Sequence, residues 1–165
     1  MLEDKHSGKE MIAAVNRWNP GTRATSTFLN DCAASNDFLW MPPEQGMGKW
    51  KRYNDVHLFE FGMHCAIKAM SLPRATSKLI VKELRKETSY QKSKSREELV
   101  GSFRNYALII KNSKYFESVW NFDAIKKVLK GEEEVLHKKK LLGPGGPASH
   151  AFILVPEVIL RALTE

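Results

Sequence analysis

The chain has 165 residues, enough for one ordinary domain or a small domain with a compact appendage. Its hydrophobic fraction of 42% allows a real core and excludes an intrinsically disordered chain. Against 19 acidic residues stand 26 Lys and Arg, a formal net charge of +7, which fits either a polyanionic partner or a basic surface kept for solubility.

The first ten residues are charged and lack the apolar stretch of a signal peptide. No apolar run approaches the ~18 residues of a membrane span. The longest, Ala151 to Val155 with Val158 to Leu160, is broken by Pro156. Cys32 and Cys65 sit in apolar helical patterns without CxxC or zinc spacing, so both are expected as reduced core thiols of a cytoplasmic protein.

In chain order, residues 1–21 read as an extension. Met11, Ile12, Val15 and Trp18 lie close to helical spacing, and Asn19-Pro20-Gly21 stops that helix. Thr25 or Ser26 can cap a helix holding Phe28, Leu29 and Cys32. Ala33-Ala34 permit a tight turn, after which Ser35 is placed to cap a second short helix carrying Phe38, Leu39 and Trp40, ended by Pro42-Pro43. Gly46-Met47-Gly48 and the alternating Lys49-Trp50-Lys51-Arg52-Tyr53 read as a small hairpin, with Trp50 inward and the lysines outward.

Asn54 or Asp55 caps the next helix. Val56, Phe59, Met63, Ile67 and Met70 form one apolar stripe, and Leu58, Phe61 and Cys65 form a second, so this helix is expected at the centre of the core. Pro73 starts another helix, with Leu72, Ala75, Leu79, Ile80 and Leu84 facing inward. Arg74, Lys78, Lys82 and Arg85 recur along one side of it as a basic stripe, which is either a solvated face or a phosphate-gripping one.

Residues 87–102 are polar and read as a linker. Beyond it the pattern changes: strands over 105–111 and 114–122, a helix over 124–130 capped by Asp123, a charged stretch over 132–140, a Gly/Pro turn over 141–148, a strand over 150–155 and a terminal helix over 156–163.

No catalytic constellation appears. There is no GxSxG elbow, no Walker loop and no GxGxxG, and the prolines of Gly143-Pro144-Gly145-Gly146-Pro147 remove the donors a phosphate cradle needs. His57 and His64 lie on similar sides of one helix but lack further metal ligands. The expectation is a protein that is not an enzyme, with no cofactor and no metal.

The stretch GKWKRYNDVHLFEFGMHCAIKAMSLPRATSKLI, from Gly48 to Ile80, resembles the MerR-type winged helix-turn-helix regulators of bacteria, in particular their divergent relatives. The wing is carried by Trp50-Lys51-Arg52-Tyr53, the following helix start by Asn54-Asp55-Val56, and the later turn by Met70-Ser71-Leu72-Pro73 with Ala75 after it. The resemblance covers roughly a third to 40% of the chain. It implies an α+β protein: an N-terminal winged helix-turn-helix over 22–86 and a small C-terminal α+β dimerisation or effector unit over 103–165.

It also implies a DNA-binding transcription regulator acting on double-stranded DNA as a homodimer, with an effector left open. The residues expected on DNA are Arg23, Ser35, Asn36, Lys49, Lys51, Arg52, Tyr53, Arg74 and Lys78. Ser35 and Asn36 open the recognition helix, where Asn36 has the amide that pairs with adenine. Lys49, Lys51 and Arg52 neutralise phosphates from the wing. With about five phosphates neutralised, the log–log salt slope is near −4.5. Val158, Ile159, Ala162 and Leu163 are expected at the dimer interface. The span Asn36 to Met41 departs from the family: it has an acidic Asp37 and no basic residue. Two alternatives therefore stand beside the regulator, an excisionase-like architectural factor and a protein-interaction module that kept the fold.

Overall fold

In a computed structural model, residues 2–3, 5–35, 37–38, 51–111, 115–130, 137–140 and 151–164 are described, with the backbone alone at 115–118, 126, 128–129 and 137–140. The protein is α+β, with antiparallel sheets of two and of four strands among mostly helical segments. It packs as two compact units. The first comprises Met1–Ser102 with Leu160–Glu165, and the second Phe103–Ile159. The segment read as an N-terminal extension is thus part of the first unit.

In that unit β1 (His6–Ser7) leads directly into α1 (Gly8–Trp18). Ser7 and Glu10 form a reciprocal capping box, so two of the helix's orphan N–H groups are satisfied locally. Met11 and Val15 are fully buried one turn apart, which is why this charged segment packs instead of trailing in solvent. A 3-10 turn over Pro20–Thr22 follows, and α2 (Ser26–Ala34) begins at Thr25, whose hydroxyl accepts the Phe28 N–H.

Ser35 closes α2, its N–H bonding the Asp31 carbonyl, and Asp37 and Phe38 belong to no helix or strand. This corrects the expectation that Ser35 opens a second helix. Serine favours turns as well as N-caps, and here the Cys32 carbonyl receives the Asp37 N–H and holds the chain in the exit from α2. Leu39, Trp40 and the proposed hairpin up to Trp50 lie outside the described residues. Of the expected hairpin, Arg52–Tyr53 forms β2, and its partner among the described residues is β1 in antiparallel register, His6 against Tyr53 and Ser7 against Arg52.

Helix α3 (Asp55–Ala69) is the centre of the unit. Asn54 caps it through Val56 and His57, and every residue from Tyr53 to Ile67 is buried. Each large apolar side chain here contributes on the order of 1.5–3 kcal/mol by leaving water. Gly62 marks a close approach: a Cβ at that position would lie 2.5 Å from Leu163 Cδ1. Helix α4 (Arg74–Thr88) packs against α3 and ends at Ser89, whose φ of 54° is left-handed. The expected linker is folded: Tyr90 and Leu99 are fully buried, and Ser95 caps α5 (Arg96–Gly101). These two buried side chains, with the Tyr90 hydroxyl on Glu60 and Arg96 on Asp55, tie down a stretch that is otherwise polar.

The second unit is an antiparallel sheet in the order β5-β4-β3-β6, formed by β3 (Ala107–Lys111), β4 (Tyr115–Val119), β5 (His137–Lys140) and β6 (Ala151–Leu154). All five residues of β3 are buried, as befits a central strand covered on both faces. Ile109 and Val119 anchor its core with Ala124, Ile125 and Ala151. Where Asp123 was expected to cap a helix from 124, it lies inside a 3-10 turn over Phe122–Ala124 capped by Asn121, and α6 (Ile125–Lys130) follows that turn. Helix α7 (Pro156–Thr164) follows β6, and its residues from Leu160 on belong to the first unit.

Candidate functional site

The connection between α1 and α2 is locked from within. Asn16, on α1, donates from Nδ2 to the Ala24 carbonyl and accepts the Ala24 N–H at Oδ1, at 3.0 and 2.8 Å. The Thr22 hydroxyl bonds the Asn19 carbonyl, and Arg23 takes a left-handed φ of 46° to turn the chain into α2. Leu29, Cys32 and Ala33 then face inward, leaving Ser26, Thr27, Asn30 and Asp31 exposed on the opposite side of α2.

That exposed side opens onto a cleft of about 510 Å³. Gly8 and Lys9 at the start of α1, Ser26 and Asn30 of α2, and Lys51 beside β2 line it, with Leu29 beneath. Lys9, Arg23, Lys51 and Arg52 are all solvent-exposed. The Arg52 guanidinium donates to the Lys5 carbonyl at 3.3 Å, and the residue stays exposed.

The basic stripe of α4 has a different occupation. Arg74 donates from Nε and Nη2 to Asp37 Oδ2, and its Nη2 also bonds the Asp31 carbonyl at the end of α2. Lys78 reaches Asp37 Oδ1 at 2.8 Å. Arg85 forks onto Glu60 and also bonds the Asp37 carbonyl, while Tyr90 donates its hydroxyl to the same Glu60. His64 completes the set, with Nδ1 2.9 Å from the Ser77 hydroxyl. Cations thus meet the last carbonyls of α2, where the helix dipole favours them. Burial pushes the Asp37 carboxyl up, but the bonds from Lys78 and Arg74 outweigh it and hold the group below its ordinary range.

A second buried carboxylate fixes β1. Asp55, at the start of α3, receives His6 Nε2 at 2.6 Å, Lys5 at 3.0 Å and Arg96 at 3.2 Å. Burial disfavours its charge, yet the bonds from His6 and Lys5 and the Arg96 charge bring it well below the carboxylate range.

The expected site residues therefore separate. Lys51 shares the cleft with α2, and Arg52 and Arg23 are exposed in the same unit. Tyr53 is 2% exposed and lies edge-on to Phe38 and His57, so it is a core residue beneath the strand. Arg74 and Lys78 are engaged by Asp37. Ser35 ends α2, while Asn36 and Lys49 lie outside the described residues. Of the expected interface, Ile159 and Leu163 are 4% and 2% exposed and cannot meet a second copy without leaving their own core. Val158 is exposed and Ala162 half-buried. Reading from the sequence passed over Lys9, Ser26, Thr27 and Asn30. The Thr25 cap was the signal for them, since it fixes which α2 residues form its first turn.

Among the described residues, no group of His, Cys, Asp and Glu could hold a metal ion, and no helix is long and apolar enough to cross a membrane. Compared with family models, curated proteins and solved structures, the chain matches none.

Proposed function

We propose that the protein is a DNA-binding regulator whose first unit is a winged helix-turn-helix, with α1 and α2 as the helix pair and the β1–β2 ribbon as the base of the wing. The observation that carries this reading is the cleft shared by the start of α1, the exposed first turns of α2 and Lys51. A helix-turn-helix reads bases with the first turns of its second helix, while the preceding helix and the wing grip the backbone. Here Ser26, Thr27 and Asn30 are the base-facing candidates, and the Asn30 amide suits adenine. Lys9, Arg23, Lys51 and Arg52 supply positive charge around them. The arrangement is in keeping with the MerR-like resemblance, with the recognition helix moved from residues 35–41 to α2.

The exposed Asp31 repels phosphate, so the flanking cations carry most of the affinity. Four cations correspond to a log–log salt slope of about −3.6. The test is binding of a labelled duplex pool at several salt concentrations. Lys51→Ala/Arg52→Ala is expected to weaken binding and to flatten the slope by about 1.8. Asn30→Ala is expected to leave the slope unchanged and to relax the sequence preference selected from the pool. Absence of wild-type binding at low salt refutes the reading.

A further inference from the structure

The sheet of the second unit has two unlike edges. Its order, β5-β4-β3-β6, leaves β5 and β6 outermost, and among the described residues neither has a strand on its outer side. An outer edge presents unpaired N–H and C=O groups, which template another strand unless the sequence prevents it. β5 reads His137-Lys138-Lys139-Lys140, and lysines on an edge prevent pairing because their charge must be desolvated as strands close. β6 reads Ala151-Phe152-Ile153-Leu154, with no charge and no proline. Phe152 and Ile153 are 37% and 44% exposed. Consecutive strand residues point to opposite faces, so both faces of the sheet end here in an exposed large apolar side chain. Their register partners on β3, Ile110 and Ile109, are fully buried. The apolar character of the sheet thus continues to its margin on the β6 side, while lysines close the β5 side.

We propose that β6 pairs with β6 of a second copy of this chain, antiparallel about a two-fold axis, so that the two sheets join into one. An axis normal to the sheet reverses the strand and keeps each face continuous. Phe152 of both copies then lies on one face of the seam and Ile153 of both on the other, and apolar side chains cover each other across it. The uncharged edge lets two chains of net charge +7 meet without like charges at the contact. The rival pairing, β6 on β5 of another copy, leaves a free edge at each end and grows without limit. The lysines of β5 oppose it, so assembly closes at the dimer. The pairing does not rest on the DNA-binding reading.

The experiment is sedimentation velocity of the full chain from low to high micromolar concentration. Wild type is expected to pass from monomer to dimer over that range, because a seam of one short strand is smaller than a standard interface. Phe152→Lys and Ile153→Lys give β6 the kind of charge that β5 carries. Each is expected to weaken association by about tenfold, since like charges then face each other across the seam. Both positions are exposed, thermal melts confirm folding, and either variant serves if the other does not fold. Lys139→Ala on β5 is expected to leave the dimer unchanged. A second readout is cross-linking: Phe152→Cys or Ile153→Cys, whichever lies at the axis, is expected to join two copies by a disulfide in oxidised glutathione. Lys139→Cys is expected not to, and the native Cys32 and Cys65 are buried. Wild type that stays monomeric throughout overturns the proposal and leaves β6 to an unlike strand. A dimer that both lysine variants leave intact overturns it too. So do species larger than a dimer, which place β5 in the contact.

Discussion

Arg74 and Asp37 form a forked ion pair, Nε and Nη2 of the guanidinium standing 3.0 and 2.7 Å from a single carboxylate oxygen, Oδ2. The other oxygen takes Lys78. Asp37 therefore balances two cations of α4 at the exit from α2, and the pair joins two elements distant in sequence.

Removing Asp37 takes the carboxylate from both cations and leaves Arg74 on the Asp31 carbonyl, whereas removing Arg74 leaves the carboxylate with Lys78. Asp37→Ala is accordingly expected to destabilise the protein more than Arg74→Ala. Both cations are partly exposed, so the charge-assisted bonds are screened, and the pairwise coupling is expected at about 1–2 kcal/mol. A double-mutant cycle by urea denaturation measures it. Additivity of the two changes within ~0.3 kcal/mol would remove the clamp from the account.

Acid stability follows from the two depressed carboxylates. Asp55 and Asp37 titrate below their ordinary range in the folded protein. Near pH 4 the unfolded chain therefore binds more protons than the native one, and stability rises with pH there. The contribution is fully present above the unfolded value of ~3.9 and is lost as pH falls from there through the folded values. Urea midpoints between pH 7 and pH 3 are expected to decline most steeply below about pH 4. Asp55→Asn lowers the midpoint at neutral pH and makes the acid decline shallower. An unchanged pH profile in that variant would show that His6, Lys5 and Arg96 do not stabilise the folded charge.

Cys32 and Cys65 are both buried and free, and burial pushes each thiol up to about 12. Only the thiolate reacts readily with disulfide reagents. At pH 8 the native protein is expected to react with Ellman's reagent far more slowly than the urea-unfolded chain, which should release two equivalents. Rapid native reaction would mean that α2 and α3 separate easily.

Much of this architecture is legible in the sequence because its determinants are local. The Thr25 and Asn54 caps, the stripe from Val56 to Ile67 and the Gly/Pro punctuation mark α1 to α4 without tertiary information. The strands Ala107–Lys111 and Ala151–Leu154 announce themselves as apolar runs. What stays hidden is long-range. His6 and Asp55 lie 49 residues apart, and nothing in two residues of strand foretells their partner. Arg74, Lys78 and Arg85 have the spacing of a solvated face, and only the burial of Asp37 and Glu60 turns them inward. Ser35 suits a turn as well as a helix start, so its place after α2 is not announced by its residue type.

Along the terminal helix a core position and an exposed one stand five residues apart. Leu163 is buried and meets α3 at Gly62, while Val158, at 60% exposed, faces solvent. Leu163→Ala is expected to cost about 2–5 kcal/mol, a large-to-small change in a packed site. Val158→Ser is expected to stay within about 0.5 kcal/mol, as exposed positions do. Chemical denaturation gives both values, and sedimentation of the same variants at tens of micromolar reports assembly. If wild type is dimeric and Val158→Ser makes it monomeric while stability holds, the exposed side of α7 is the contact between copies. If Leu163→Ala changes assembly without loss of stability, the burial of Leu163 against Gly62 does not describe the folded monomer, and the packing of α7 on the first unit must be abandoned.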